Sequence, residues 1–183
     1  MKRILLVSVL ALLAVFAAEA QSVNDFRTVA DGNWSNVASW ERYDGSSWVA
    51  ATYYPGNGST NEVTVSNGIT LDVSISIPTL TITGTLTGSG NNTLTITGNL
   101  SCPGTLSWTN NAGGAISVQG NLTISGSFGI FNRNLTVNGT TTLSGNGTFT
   151  DGSDTGNNQF SGTVSLNDAS AFTSSAVTTT GRM

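Results

Sequence analysis

The sequence contains no histidine and only one cysteine, Cys102. Without histidine the chain cannot form the Ser–His or Cys–His pairs of nucleophilic enzymes, and it lacks the commonest side-chain ligand of transition metals. A single cysteine cannot form an internal disulfide. Many small secreted domains depend on such bridges, so hydrogen bonds and packing must hold this fold together instead.

Charged residues are also scarce, at 9% of the chain with a net charge of −4, against about 25% charged residues in ordinary globular proteins. An acidic balance argues against nucleic acids and anionic membranes as partners, because both select basic patches. Between Asp72 and Asp151 the only charged residue is Arg133. Glycosidases need two carboxyl groups about 5 to 10 Å apart, so we expect a protein that is not an enzyme.

Residues 1–20 have the pattern of a secretory signal. Two basic residues are followed by an apolar run over 4–18 and by a small-x-small triplet that ends at Ala20. The apolar run is shorter than the roughly 20 residues of a spanning helix. We therefore expect cleavage before Gln21, no membrane span afterwards, and a secreted, extracellular or cell-surface location.

The phrase LTITG occurs at Leu80–Gly84 and again at Leu94–Gly98, and weaker copies begin at Ile116, Leu135 and Phe160. Each copy alternates apolar and polar residues, which is the period of a strand with one buried face. A phrase that returns in this way is typical of a repeat that stacks on its neighbours.

The glycines that end these copies are 14, 22, 19 and 23 residues apart. One coil of a β-helix takes about 20 residues, in line with known solenoid repeats. The first spacing, 14 residues from Gly84 to Gly98, is too short for a full coil. The two LTITG copies are therefore expected to lie on two faces of one coil.

The predicted fold is all-β, a parallel β-helix (solenoid) over residues 63–183 behind an aromatic-rich N-terminal cap over residues 21–62. Twelve apolar residues should point inward: Leu80, Ile82, Leu86, Leu94, Ile96, Leu100, Ile116, Val118, Leu122, Ile124, Leu135 and Val137. The alternative is an antiparallel β-sandwich with hairpins at the Asn-Gly pairs 67–68, 138–139 and 146–147.

Six of the seven tryptophan and tyrosine residues lie in the span from Trp34 to Tyr54. As a cap, they would bury the open end of the first coil, because large rings cover much area per residue. As a ligand site, five of them would stack on the faces of a carbohydrate: Trp34, Trp40, Trp48, Tyr53 and Tyr54. The partner would then be an extracellular polysaccharide or the cell-surface matrix.

The segments Gly32–Glu41, Tyr54-Pro55-Gly56 and Glu62–Leu86 resemble the opening of large secreted Bacteroidetes surface proteins. They are also similar to the eight-glycine domain of cell-surface and hyaluronan-associated proteins. The resemblance implies a right-handed parallel β-helix, export, and often a long chain that ends in a type IX sorting domain. Since the sequence stops within repeat-like residues at 178–183, we expect a piece of a longer chain. The family carries no agreed catalytic residue, so none is implied here.

One loop is a candidate calcium site, with oxygen ligands at Asp151, Asp154 and Asn157 among glycines. The spacing matches neither the EF-hand nor the glycine-rich nonapeptide repeat, and a plain solvated loop is the competing interpretation. No other cofactor is indicated.

The sequence leaves three functions open. The first is a non-catalytic structural or adhesin-like surface protein, and the second is a carbohydrate-binding module. The third is an ice-binding solenoid, because the pairs Thr81-x-Thr83 and Thr95-x-Thr97 resemble threonine ladders. The weakly charged end of the repeat, from Phe160 onward, is also expected to self-associate through its unpaired coil.

Overall fold

The computed structural model describes residues 21–108, 114–131, 133–152, 157–174 and 177–179. Its cap contains four strands and a short 3-10 helix: β1 (Phe26–Thr28), β2 (Gly32–Asn33), η1 (Val37–Ser39), β3 (Trp40–Tyr43) and β4 (Trp48–Ala50). The predicted signal segment lies outside the described residues.

The rest of the described chain forms six triplets of strands, which we call coils 1 to 6. Coil 1 contains β5 (Glu62–Val65), β6 (Gly68–Leu71) and β7 (Ile75–Ile77). Coil 2 contains β8 (Thr79–Ile82), β9 (Thr85–Gly88) and β10 (Leu94–Ile96). Coil 3 contains β11 (Leu100–Cys102), β12 (Thr105–Trp108) and β13 (Ala115–Val118). Coil 4 contains β14 (Leu122–Ile124), β15 (Ser127–Ile130) and β16 (Asn134–Val137). Coil 5 contains β17 (Thr141–Leu143), β18 (Thr148–Asp151) and β19 (Asn158–Phe160). Coil 6 contains β20 (Val164–Leu166), β21 (Ala171–Ser174) and β22 (Val177–Thr179).

The six coils stack into three sheets, so the fold is a parallel β-helix. Face A is the nine-stranded sheet β20-β17-β14-β11-β8-β5-β1-β3-β4, face B is β2-β6-β9-β12-β15-β18-β21, and face C is β22-β19-β16-β13-β10-β7. On face A the register partners Val63, Leu80, Leu100, Leu122, Thr141 and Val164 are 17, 20, 22, 19 and 23 residues apart. The all-β parallel solenoid is confirmed.

The antiparallel sandwich is wrong, because β5 and every later described strand pair with their neighbours in parallel. The three Asn-Gly pairs are corners rather than hairpins. Asn67 and Gly68, for example, lie where the chain passes from β5 on face A to β6 on face B. The strands on either side of a corner belong to different sheets, so neither pairs with the other.

The alternating pattern places the core as expected. All twelve apolar residues predicted to point inward are buried in a single cluster that runs along the solenoid. The two LTITG copies lie on β8 of face A and β10 of face C. They are therefore two faces of coil 2, as the short step of 14 residues predicts.

The recurring glycines mark a corner where successive coils approach closely. The backbone N–H of Gly120 donates to the carbonyl of Gly98 at 2.8 Å, and Gly139 donates to Gly120 at 3.0 Å. A Cβ atom at Gly139 would lie 2.4 Å from the Gly120 oxygen, well inside contact distance. The corner between faces C and A therefore requires glycine because no side chain fits there.

The cap closes the end of the solenoid at coil 1. Strand β1 pairs in parallel with β5, and β2 pairs with β6, so the cap extends faces A and B. Face C ends at β7, and Gly56 lies against it: a Cβ atom there would be 3.3 Å from Cβ of Ile75 and 3.4 Å from Cγ2 of Ile77. All three strands of coil 1 are therefore covered on this side.

Candidate functional sites

Two of the five aromatic residues predicted to stack on sugars lie inside the cap. Trp34 and Trp40 are fully buried, with their rings in edge contact at a centroid distance of 4.8 Å. Trp34 Nε1 donates to the Pro55 carbonyl, and Trp40 Nε1 donates to the Trp34 carbonyl, both at 2.9 Å. Neither ring presents a face to solvent, so these two residues stabilise the cap.

Tyr53 is half-buried and enclosed by its neighbours. Its ring meets Phe26 edge-on at 5.5 Å, and its hydroxyl donates to the Ser59 carbonyl at 2.9 Å. A Cβ atom at Gly58 would lie 2.8 Å from the ring, so Gly58 lies directly against it. Tyr54 is also half-buried and packs against the core.

Trp48 lies on the other side of the cap, on the outer surface of face A. The guanidinium carbon of Arg27 lies 4.4 Å from the Trp48 ring centroid, and Tyr43 meets the ring edge-on at 5.6 Å. Arg27 is held in place by Glu41, which accepts from Nε at 2.9 Å and from Nη2 at 2.7 Å. We call Arg27, Glu41, Tyr43 and Trp48 the outer cap patch.

Sequence reasoning grouped the cap aromatics by proximity in the chain and so missed this patch. The strand register brings the residues of the patch together, and the sequence alone did not reveal that register. Arg27 pairs with Glu41 and Tyr43 pairs with Trp48 across neighbouring strands. Because side chains alternate along β3, Glu41 and Tyr43 share one surface while Trp40 points into the core.

Of the three predicted calcium ligands, Asp151 and Asn157 lie among the described residues. Asp151 ends β18 with its side chain inside the solenoid, where its Oδ2 accepts from Asn158 Nδ2 at 2.6 Å and from Ser174 Oγ at 3.0 Å. Asn157 is exposed, and Asp154 lies outside the described residues. In the part of the chain that the structure describes, no group of three His, Cys, Asp or Glu residues is arranged to hold a metal ion.

Arg133 is a buried cation that the sequence pattern did not place. Its guanidinium carbon lies 4.7 Å from the Trp108 ring centroid, and it donates to the carbonyls of Gly90 at 2.5 Å and Asn92 at 3.4 Å. Burial lowers the pKa of Arg133, since a low-dielectric environment disfavours its charged form. The side chain is 1% exposed, so the one charge between Asp72 and Asp151 is inside the molecule.

The outward polar side chains of coils 2 to 4, among the described residues, therefore carry hydroxyl or amide groups. On face A the central outward residue of each successive coil is a threonine or serine, and these residues form one ladder: Thr64, Thr81, Ser101, Thr123, Thr142 and Ser165. Face B has a glycine in the equivalent row, Gly129, and face C has Gln159. Neighbouring rungs are about 4.8 Å apart, the spacing between paired strands.

The threonine pairs that prompted the ice-binding hypothesis lie on different faces. Thr81 is on β8 of face A and Thr95 is on β10 of face C. The two Thr-x-Thr units thus do not stack into one two-column array. The stacking partner of Thr81 in the next coil is Ser101, and that of Thr95 is Ser117.

Comparisons with known proteins returned no match to a family model, a curated protein or a solved structure. Among the described residues, no helix is long and apolar enough to cross a membrane.

Proposed function

We propose that this chain is an exported, non-catalytic β-solenoid that serves as a structural or adhesin-like module at the cell surface. The observation that carries the proposal is the surface of coils 2 to 4. The sequence between Asp72 and Asp151 has one charged residue, Arg133, and that residue is buried. Hydroxyl and amide side chains suit contact with hydrated polymers, whereas acid–base catalysis needs groups that titrate.

Two sequence features support export and a surface location. Residues 1–20 have the pattern of a cleaved signal. The cap and the first coils resemble the opening of secreted Bacteroidetes surface proteins, which are long β-helices. A solenoid with a closed first end and a regular hydroxyl surface is suited to holding other modules at a distance from the cell.

Expression of the full chain in a Gram-negative host tests the export step. We expect the protein in the periplasm or medium with Gln21 as its first residue, measured by intact mass and N-terminal sequencing. A variant with Leu12→Arg, which interrupts the apolar run, should stay in the cytoplasm. Export of that variant, or an unprocessed N-terminus in the exported protein, would contradict a cleaved signal.

Purified exported protein then tests the absence of catalysis. It should sediment with isolated extracellular matrix of the producing organism and release no reducing ends or unsaturated products from neutral or acidic polysaccharides. Turnover that co-purifies with the protein through two different columns would overturn the proposal.

A carbohydrate-binding function is the second candidate, and the outer cap patch favours it. Trp48 is partly exposed beside a guanidinium that Glu41 fixes in place, which is an arrangement that combines an apolar ring with polar groups. Affinity electrophoresis through polysaccharide gels tests it. Trp48→Ala should abolish retardation, whereas Ser101→Ala, on the same face but two coils away, should leave it unchanged.

A further inference from the structure

The sequence contains four Asn-Gly pairs, in which the asparagine side chain can react with the backbone that follows it. The nitrogen of the glycine attacks Cγ of the asparagine and closes a succinimide ring. Glycine as the second residue favours the reaction, because it has no side chain to shield its nitrogen. The pairs lie at residues 57–58, 67–68, 138–139 and 146–147.

In three of these pairs the N–H of the glycine already donates a hydrogen bond. The donors and acceptors are Gly68 to Asp31 Oδ1 at 2.6 Å, Gly139 to the Gly120 carbonyl at 3.0 Å, and Gly147 to the Ser144 carbonyl at 2.9 Å. Each nitrogen must give up its hydrogen bond before it can attack the neighbouring side chain. The fold therefore protects Asn67, Asn138 and Asn146 from the reaction.

The pair Asn57-Gly58 differs from the other three. In the part of the chain that the structure describes, the Gly58 N–H has no hydrogen-bond acceptor and the Asn57 side chain has no hydrogen-bond partner. Both residues are exposed. Exposure alone does not distinguish this pair, since Asn146 is exposed as well. The unbonded glycine nitrogen is the feature that does.

The backbone around the pair is held in place by other hydrogen bonds. The Asn57 N–H donates to the Tyr54 carbonyl at 3.1 Å and closes a turn in which Gly56 has a φ of 89°, as the third residue of a type II turn requires. Thr60 Oγ1 accepts from the Gly56 N–H at 2.9 Å and donates to the Gly58 carbonyl at 3.2 Å. Only the two reacting groups are therefore left unbonded in an otherwise ordered loop.

From these observations we propose that Asn57 is the residue at which the folded protein deamidates. A bond forms between the Gly58 nitrogen and Asn57 Cγ, the bond from Cγ to Nδ2 breaks, and the Gly58 proton leaves with Nδ2 as ammonia. Water then opens the succinimide. Addition at Cγ gives aspartate, and addition at the main-chain carbonyl carbon of residue 57 gives isoaspartate. Water is the only co-reactant.

The two products differ in their effect on the cap. Both replace a neutral amide with a carboxylate, but only isoaspartate adds a carbon to the main chain between residues 57 and 58. Gly58 lies against the Tyr53 ring, and Gly56 lies against Ile75 and Ile77 of β7. Isoaspartate therefore displaces the loop that covers face C, whereas aspartate leaves the main chain unchanged.

Peptide mapping of the exported protein after incubation in mildly alkaline buffer tests the proposal. Mass spectrometry with electron-transfer fragmentation measures the rate at each pair and separates isoaspartate from aspartate. We expect Asn57 to react at least about tenfold faster than the other three, because each of those must first break a hydrogen bond and open locally. A native rate at Asn57 no higher than at Asn146 would overturn the proposal.

The same measurement in denaturant shows whether the fold is the cause. The four pairs should then react at similar rates, since each has the same two residues and none is held in the native hydrogen bonds. A preference for Asn57 that persists unchanged in denaturant would assign the effect to the local sequence and would overturn the structural argument.

Isoelectric focusing gives an independent test with matched variants. The parent should gain an acidic band during incubation, because deamidation creates a carboxylate. Asn57→Gln should not gain it, since the longer side chain cyclises much more slowly. Asn146→Gln, also at an exposed asparagine before a glycine, should gain the band like the parent. An acidic band that forms at the same rate in Asn57→Gln would refute Asn57 as the site.

Discussion

The indole ring of Trp108 fills the space that a side chain at Gly88 would occupy. A Cβ atom at residue 88 would lie 1.8 Å from Cε2 and 1.9 Å from Cδ2 of the ring. Gly88 ends β9 in coil 2 and Trp108 ends β12 in coil 3, so the pair spans two neighbouring strands of face B. The absence of a side chain in one coil allows a tryptophan to be fully buried in the next.

This relationship predicts a large effect of a small substitution. Gly88→Ala should destabilise the fold by about 1–3 kcal/mol or more, because the tightly packed ring must move to accept a methyl group. Urea denaturation followed by circular dichroism measures the change in the free energy of unfolding.

Gly129→Ala is the matched control, since Gly129 also lies in a strand of face B. The atom nearest to its Cβ position is the Leu106 oxygen, at 3.9 Å, which is ordinary contact. Replacing this glycine should be neutral or stabilise the fold by about 0.4–1 kcal/mol, because it restricts the unfolded chain. Similar losses at both positions would show that the indole is not the cause.

The buried arginine leads to a second prediction. Arg133→Met keeps the length of the side chain but removes the donors to the carbonyls of Gly90 and Asn92. Losing these hydrogen bonds from a charged donor should cost about 1.5–3 kcal/mol, measured by urea denaturation. Arg27→Met, which breaks an exposed ion pair with Glu41, should cost less than about 1 kcal/mol. If the two variants are equally stable, the Arg133 contacts do not contribute.

Alternation along the repeats predicted the core correctly because every inward position in coils 2 to 4 is set by a period of two. The same rule could not place Arg133 or Asp151. Both lie beside the corner between faces B and C, where the connection ranges from two residues between β21 and β22 to six between β12 and β13. Because the length of this loop varies, the sequence does not show where the next strand begins. It therefore does not show which residues of that strand point inward.

The aromatic cap shows a related limit. Its density of tryptophan and tyrosine predicted a lid or a binding surface. It did not predict which rings are buried in the lid and which lie on the outer surface. That division depends on strand pairing between β1, β3 and β4, which brings Arg27 to Trp48 across 21 residues of sequence. Local sequence contains little information about such a contact.

Tryptophan fluorescence tests this division of the cap. Trp34, Trp40 and Trp108 are fully buried and Trp48 is partly exposed, so iodide should quench Trp48 selectively. Trp48→Phe should remove almost all quenchable emission without lowering stability. Trp34→Phe, which loses the hydrogen bond to Pro55, should leave quenching unchanged and cost about 1–3 kcal/mol. Strong quenching that survives Trp48→Phe would mean that the cap is open.

Cys102 gives a prediction about pH. The thiol lies in the core of coil 3, and burial raises its pKa from 9.0 to about 12. The folded state therefore binds the thiol proton more tightly than the unfolded state does. The resulting stabilisation is fully present below pH 9 and is lost as the pH rises toward 12.

Two measurements check this effect. At pH 8 the thiol of the native protein should resist alkylation by iodoacetamide and should react only when denaturant opens the core, because the thiolate is the reactive form. Between pH 9 and 12 the free energy of unfolding should fall more steeply for the parent than for Cys102→Ala, by at most about 1.4 kcal/mol per pH unit, the value for one proton. The comparison uses slopes, so the cavity that alanine leaves does not affect it. Parallel slopes together with rapid alkylation of the native protein would show that coil 3 admits solvent to Cys102.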